Sequence, residues 1–401
     1  MSSVTQRATS AWRVLRAEGP RPLAQRLARV GYHRLNAAEL EFALLPGDVT
    51  SSSSLDLPLP DRRPGPDEPL TIGWITTPPA AGSGGHTTMF RMVEALESGG
   101  HRCVLFLYDR YGGDASAQAE VIRSSWPQVR AEVRSIDDGV RGVHACIATS
   151  WQTAHVLAVR TADVACRRMY FAQDFEPFFY ARGSDYALAE DTYRFGFTTV
   201  SIGHMVADLV AEVAGVRPAV AEFGCDTDVY QLRPQGPRNG IAFYAKPGTA
   251  RRGYALAALG VAEFHRERPD VEVHLYGDAS ADLPFEVTRH GNMRPAELAA
   301  LYNRCRAGIA MSFTNISLIA EELLACGTIP IVNDSPYPRA DLDHPCVAWA
   351  EPTPAGIAAA LRTAFADDGP TPTDIARGVR AGWGPAQQVL VDTVEREVRG
   401  T

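Results

Sequence analysis

A chain of 401 residues is too long for one small core and predicts two or three domains. Hydrophobic residues at 45%, charged residues at 21% and a net charge of -8 are those of a soluble globular protein, and they exclude a general nucleic-acid binder. No apolar run reaches the roughly 18 residues of a membrane span and no signal-peptide core opens the chain, so a cytoplasmic location is expected.

The first 35 residues hold seven arginines against one acid, Glu18, interleaved with Trp12, Leu15, Leu23, Leu27 and Val30. This basic amphipathic pattern predicts a helical extension over residues 1 to 46, broken near Gly19 and Pro20. It fits an anionic membrane surface at the inner face of the membrane, or a solvated helix packed on its own domain. Residues 47 to 69 turn to Ser, Pro, Asp and Gly, and read as a flexible linker.

From Leu70 onward, apolar runs of strand length alternate with helical patterns, as in a βαβ series. LTIGWIT, CVLFLY, HACIATS, MYFAQD and TTVSIG are the expected strands of a first domain, residues 70 to 222. IAFYAK, VEVHLYG, AGIAMS, IPIVND and CVAWA are those of a second, residues 223 to 382. The turn-rich EFGCDTDVYQLRP, ending in Pro234, marks the crossing near residues 218 to 237, and residues 383 to 401 form a terminal helix that can cross back to the first domain. Two Rossmann-like, doubly wound α/β domains facing a cleft follow from this pattern.

Seven cysteines stand singly, with no CxxC and no zinc-like spacing, so reduced structural thiols and no metal are expected. After the first strand, Gly82, Gly84 and Gly85 precede a helix expected near Thr87, where backbone N–H groups can approach an anion. The spacing is that of neither a Walker loop nor a GxGxxG fingerprint, and a glycine-rich turn after a strand also serves simply as a tight turn. His86 lies in it, either as a catalyst or as a hydrogen-bonded loop residue.

The fourth strand runs into QDFEPFFYARGSDYALAED, a mixture of acids and aromatics that reads as poor core material. Asp174 and Glu176 sit at its end, placed to bind hydroxyls or take a proton. The alternative is an interface loop in which Phe175, Phe178 and Phe179 bury area. Of the 39 basic residues a single one, Lys246, is lysine. It closes the strand IAFYAK, and Arg251 and Arg252 follow before the next helix, a position where cations can neutralise a diphosphate leaving group. In SFTNISLIAEELLACGTIPIV, a polar turn at Thr314 and Asn315 leads through Ser317 to a helix bearing Glu321 and Glu322. Adjacent helical acids point apart, so at most one of them faces the cleft, where a carboxylate can accept both hydroxyls of a ribose; a glutamate in a helix is otherwise a surface residue.

In this order the pieces resemble the GT-B glycosyltransferases of family 4, over roughly residues 70 to 398. EELLACG and GCDTDVY are the specific stretches, and ATSWQTAH, QDFEPFFYARGSDYALAEDTYRFG and SFTNISLIAEELLACG look like the rhamnosyltransferases typified by WsaF. The resemblance implies roles residue by residue: Glu322 for the donor ribose, with Asn292 and Met293 near the base; Lys246, Arg251, Arg252, Gly84 and Gly85 for the diphosphate; and Thr314, Asn315 and Ser317 for the donor sugar. Asp174, Glu176 and His86 would serve catalysis on the acceptor side. Two departures are plain: the first glutamate of the family's E-x7-E motif falls at Thr314, and its common N-terminal-domain histidine falls at Gln173.

The implied activity is retaining, metal-independent transfer of a sugar, rhamnose from dTDP-L-rhamnose, to a saccharide acceptor in cell-surface glycan or glycosylated-metabolite biosynthesis. The nucleotide sugar is a co-substrate and no other cofactor is expected. A nucleotide-sugar epimerase on the same fold and a non-catalytic sugar-binding protein are the competing readings.

Overall fold

The computed structural model describes residue 16 and residues 19–35, 37–40, 42–233 and 236–400. The arginines at 7 and 13, with Trp12 and Leu15, lie outside them, as does Pro234 at the expected crossing. Two compact units are formed, residues 1–47 and 48–401.

In the first unit, helix α1 (Pro20–Arg34) begins with Pro at its first turn and ends with His33 and Arg34, both favourable to the helix dipole. Leu27 and Val30, at helical spacing, are 62% and 50% exposed.

The second unit holds two parallel sheets. In the first domain the strands are β1 (Thr71–Thr76), β2 (Arg102–Leu107), β3 (Glu132–Ser135), β4 (Ala145–Ala148), β5 (Arg167–Ala172), β6 (Thr198–Ile202) and β7 (Ala219–Ala221), in the order β3-β2-β1-β4-β5-β6-β7. In the second they are β8 (Gly240–Ala245), β9 (Glu272–Gly277), β10 (Thr288–Gly291), β11 (Cys305–Ile309), β12 (Ile329–Asn333) and β13 (Ala348–Ala350), in the order β10-β9-β8-β11-β12-β13. Central strands such as TIGWIT and IPIVN are buried along almost their whole length, because helices cover both faces of a parallel sheet. All ten expected strands are present. The three additional ones, β3, β7 and β10, lie at or beside sheet edges and are short and half-exposed, so they need no apolar run.

Each sheet reverses its winding once, between β1 and β4 and between β8 and β11, and the carboxyl ends of strands at such switch points are where open α/β sheets place ligands. The loops after β1, β8 and β11 are those that carry the glycines, Lys246 with its arginines, and Thr314 with Asn315. Helix α2 (Leu318–Ala325) is seated directly on β11: a Cβ at Gly308 would lie 2.5 Å from both Leu323 methyls. This close seating fixes where Glu322, the next residue up the helix, projects.

Two chain crossings join the domains side by side. Gly382 N donates to Cys225 O at 2.8 Å, and a Cβ on Gly224 would stand 2.0 Å from Gly382 O. After the return crossing, the terminal helix (Gly384–Arg399) packs on the first domain, where Glu397 accepts from Thr198 Oγ1 at 2.7 Å and Gln387 Nε2 donates to Arg91 O at 2.8 Å.

The linker expectation is corrected. Asp48 is buried and paired with Arg160 at 2.6 Å, Ser52 donates to Asp191 through both its N and Oγ, and Pro58 O accepts from Arg168 at 2.9 Å. Its Ser and Asp side chains serve here as hydrogen-bond partners for the first domain, a use that composition does not distinguish from a solvated tether.

Candidate functional site

Strand β8 ends at Ala245, and Lys246 follows it, exposed to solvent. Its carbonyl accepts from Thr249 N at 3.0 Å, which begins the turn that delivers Arg251 and Arg252. Gly253 closes that turn at φ +61, where an added Cβ would meet Phe313 at 2.7 Å, while Phe313 N donates to Arg251 O at 2.9 Å. The loops after β8 and β11 are therefore locked together. Arg252 Nη1 donates to Ser312 Oγ at 3.0 Å, and burial together with the neighbouring Arg251 holds this guanidinium below its ordinary pKa. Arg251 lies over the Phe179 ring, 4.0 Å from its centroid, with Nε 4.0 Å from Asp174 Oδ2 and without a hydrogen-bond partner.

The acid-rich loop after β5 is core, contrary to its reading as poor core material: Asp174, Phe175, Glu176 and Pro177 are all buried. Aromatic stacking makes this possible, with Phe175 on Tyr193 at 5.3 Å and Tyr193 on Tyr170 at 5.5 Å. The Asp174 carboxylate accepts from Thr314 Oγ1 at 2.8 Å, from Asn315 N at 3.2 Å and from Phe175 N at 2.9 Å. Asn315 in turn donates through Nδ2 to Gln173 O at 2.8 Å and Ile202 O at 3.2 Å. Burial raises the Asp174 carboxyl, against the pull of Thr314 and the two arginines.

Glu176 accepts from Trp151 N at 2.7 Å, in the first turn of the helix Trp151–Arg160, and burial pushes its carboxyl up to about 8. In this structure neither acid is presented to open space; each is spoken for by protein donors. His86 is similarly committed, with Nδ1 2.8 Å from Ser83 Oγ and Nε2 3.3 Å from Thr77 O, and burial lowers its pKa toward the neutral ring.

The glycine-loop helix starts at Gly84 rather than near Thr87, because Ser83 caps it by accepting from His86 N. Gly84 and Gly85 form its exposed first turn, and the Gln173 amide lies 3.8 Å from where a Cβ of Gly85 would sit.

The two glutamates of α2 do project apart. Glu321 is buried with Oε2 unpartnered, near Asp341 and Arg380, and burial pushes it up to about 7. Glu322 is half-buried at the crossing. Burial and Asp226 push it up to about 8, against the pull of Arg91 and the hydroxyls of Tyr230 and Tyr302. Arg91 forms an ion pair with Asp226 and stacks on Trp383, 4.7 Å from its centroid. Thr314, Asn315 and Ser317, offered for the donor sugar, are buried, and the first two are engaged by the opposite domain. Asn292 and Met293 follow β10, two strands from β8, with Met293 packed on the core.

Sequence reasoning missed Arg91, Asp226, Tyr230, Tyr302 and Trp383 around Glu322. Asp226 and Tyr230 lie within the crossing motif already singled out, whereas nothing separates Arg91 from the other arginines. It also missed Asp341, whose carboxylate caps the helix His204–Ala214 through Met205 N at 3.0 Å and His204 N. Among the described residues, no group of three or more His, Cys, Asp or Glu side chains is gathered as metal ligands are.

Models of the WsaF N-terminal and C-terminal domains match residues 129–204 and 239–362. The chain is 33% identical over 329 residues to the O-antigen biosynthesis protein RfbC of Myxococcus xanthus; the match covers 78% of this chain, which spans about a quarter of that relative's length. Among solved structures it resembles Anabaena Alr3699/HepE in complex with UDP and glucose, with a TM-score of 0.60, 13% identity, and coverage of 82% of this chain and 98% of that one. It also resembles sucrose-phosphate synthase from Thermosynechococcus elongatus, with a TM-score of 0.57, 13% identity, and coverage of 82% and 95%. At such identities the likeness carries the fold.

Proposed function

Because this chain belongs to the WsaF family and has the GT-B fold, we propose that it is a glycosyltransferase that moves a sugar from a nucleotide-activated donor to a saccharide acceptor in surface-glycan biosynthesis. The donor rests on the second domain. Lys246 and Arg252 receive its diphosphate, and Glu322 receives the ribose hydroxyls, with the base toward Asn292 and Met293. The observation that carries this reading is the cation set at the carboxyl end of β8, the switch-point strand. Arg252 is fixed by Ser312, and Lys246 is exposed with no acidic partner among the described residues.

Cations held there stabilise the negative charge that develops on a departing diphosphate. Same-face attack by the acceptor, and hence retention, is part of the proposal. So is L-rhamnose as the sugar and a dTDP-linked donor, which rest on the subgroup likeness. The relative RfbC, by its description an O-antigen biosynthesis protein, supports a surface polysaccharide as the pathway.

Titration with dTDP, UDP, GDP and ADP, read as thermal stabilisation, tests the donor site. One nucleotide is expected to stabilise the protein. Lys246→Ala should weaken its binding at least about tenfold while changing stability by less than about 0.5 kcal/mol, because the ammonium touches nothing that folding needs. Unchanged binding in both Lys246→Ala and Arg252→Ala would remove the assignment. Labelled donor separates the activities: a new glycoside supports transfer, an isomerised nucleotide sugar supports an epimerase.

The basic α1, with Leu27 and Val30 exposed, supports attachment to an anionic membrane surface. Flotation with anionic liposomes before and after deletion of residues 1 to 45 tests this, and equal flotation of both chains refutes it.

A further inference from the structure

The groups that meet Asp174 across the domain boundary are all suited to an anion. Thr314 Oγ1 and Asn315 N donate to its carboxylate, Arg251 Nε faces it from 4.0 Å with no hydrogen-bond acceptor of its own, and Arg252 lies close enough to pull its pKa down. All four belong to the second domain, on the locked loops after its two switch-point strands. Asp174 comes from the first domain, at the end of β5. Asn315 fastens the same junction through its side chain, to Gln173 O and Ile202 O.

We propose that these four groups form an anion cradle for the donor's diphosphate, that the Asp174 carboxylate is its internal occupant, and that the donor enters by displacing it. The proposal rests on the donor reading given above. Two anions cannot share one cradle at this spacing, because like charges in a poorly solvated site repel strongly. Arrival of a diphosphate therefore expels the carboxylate, loosens the junction at residues 173 to 176, and turns Asp174 toward the cleft. The donor and the acceptor-side acid are coupled by competition for the same donors, so Asp174 acts as a gate as well as a candidate acid.

Calorimetric titration of the full chain with inorganic pyrophosphate tests this in the wild type, Asp174→Asn and Arg252→Ala. Asp174→Asn keeps the shape and the hydrogen-bond acceptor but removes the charge. It should bind pyrophosphate about tenfold more tightly or better, since displacing one charge-assisted hydrogen-bond set is of that order. Arg252→Ala should bind more weakly. Equal or weaker binding in Asp174→Asn, with binding lost in Arg252→Ala, overturns the gate and leaves the donor site standing. Absence of pyrophosphate binding in all three chains overturns both.

Hydrogen exchange on the wild type serves even where a variant does not fold. Saturating pyrophosphate should speed exchange in peptides covering residues 173 to 180, and unchanged or slowed exchange there refutes displacement.

Discussion

Glu322 gives the sharpest test of the site's electrostatics. Its carboxyl is pushed from an ordinary value of 4.5 up to about 8 by burial and by Asp226. Below pH 4.5 the group is protonated in folded and unfolded chains alike and has no effect on the balance. As pH rises from there toward 8, the unfolded chain loses the proton first, so stability falls, and above about 8 the loss is complete. The slope is about 1.4 kcal/mol per pH unit, so between pH 5 and pH 7.5 this one group lowers stability by up to about 3 kcal/mol. The figure is a ceiling, because solvent reaches the half-buried side chain and softens the shift.

Glu322→Gln keeps the shape and removes the titration. Urea unfolding of both proteins at pH 5 and pH 7.5 should show a wild type that weakens across this range relative to the variant. Glu176 and Glu321, which carry raised values of their own, cancel in the comparison. A difference between the two proteins that does not vary with pH would mean that Glu322 is ionised throughout, and the burial argument would fail.

Gly224→Ala should destabilise the protein by about 1–3 kcal/mol or more, read as a lower unfolding midpoint, because its Cβ would stand 2.0 Å from the backbone oxygen of Gly382 and neither crossing can yield alone. An unchanged midpoint would show the crossings to be less tightly joined than the geometry states. Of the seven free cysteines six are buried and Cys346 is half-buried, and burial pushes their thiols up. One thiol per chain should react rapidly with a disulfide reagent in the native protein and seven after unfolding; more than one fast native thiol would refute the packing.

The central strands were legible because a parallel sheet covered on both faces demands unbroken apolar runs, and TIGWIT and IPIVN meet that demand locally. The edge strands were not, since Glu132–Ser135 and Thr288–Gly291 are half solvated and pair mainly through backbone. The crossing, the return of the last helix and the order of the site loops could likewise be read along the chain. So could the divergence of Glu321 and Glu322, which follows from helical geometry alone.

What each side chain touches was decided only in three dimensions. Asp174 and Thr314 are 140 residues apart in sequence, and their contact depends on how two separately wound sheets meet, to which no local pattern responds. The same holds for Arg91 reaching Asp226 beside Glu322, and for the supposed linker, where Asp48 and Ser52 prove to be fitted partners of Arg160 and Asp191 and the Pro58 carbonyl accepts from Arg168. Sequence periodicity records which face of an element is buried, so it determines the layers. Polar contacts between layers depend on distance and direction, and tertiary packing alone sets those.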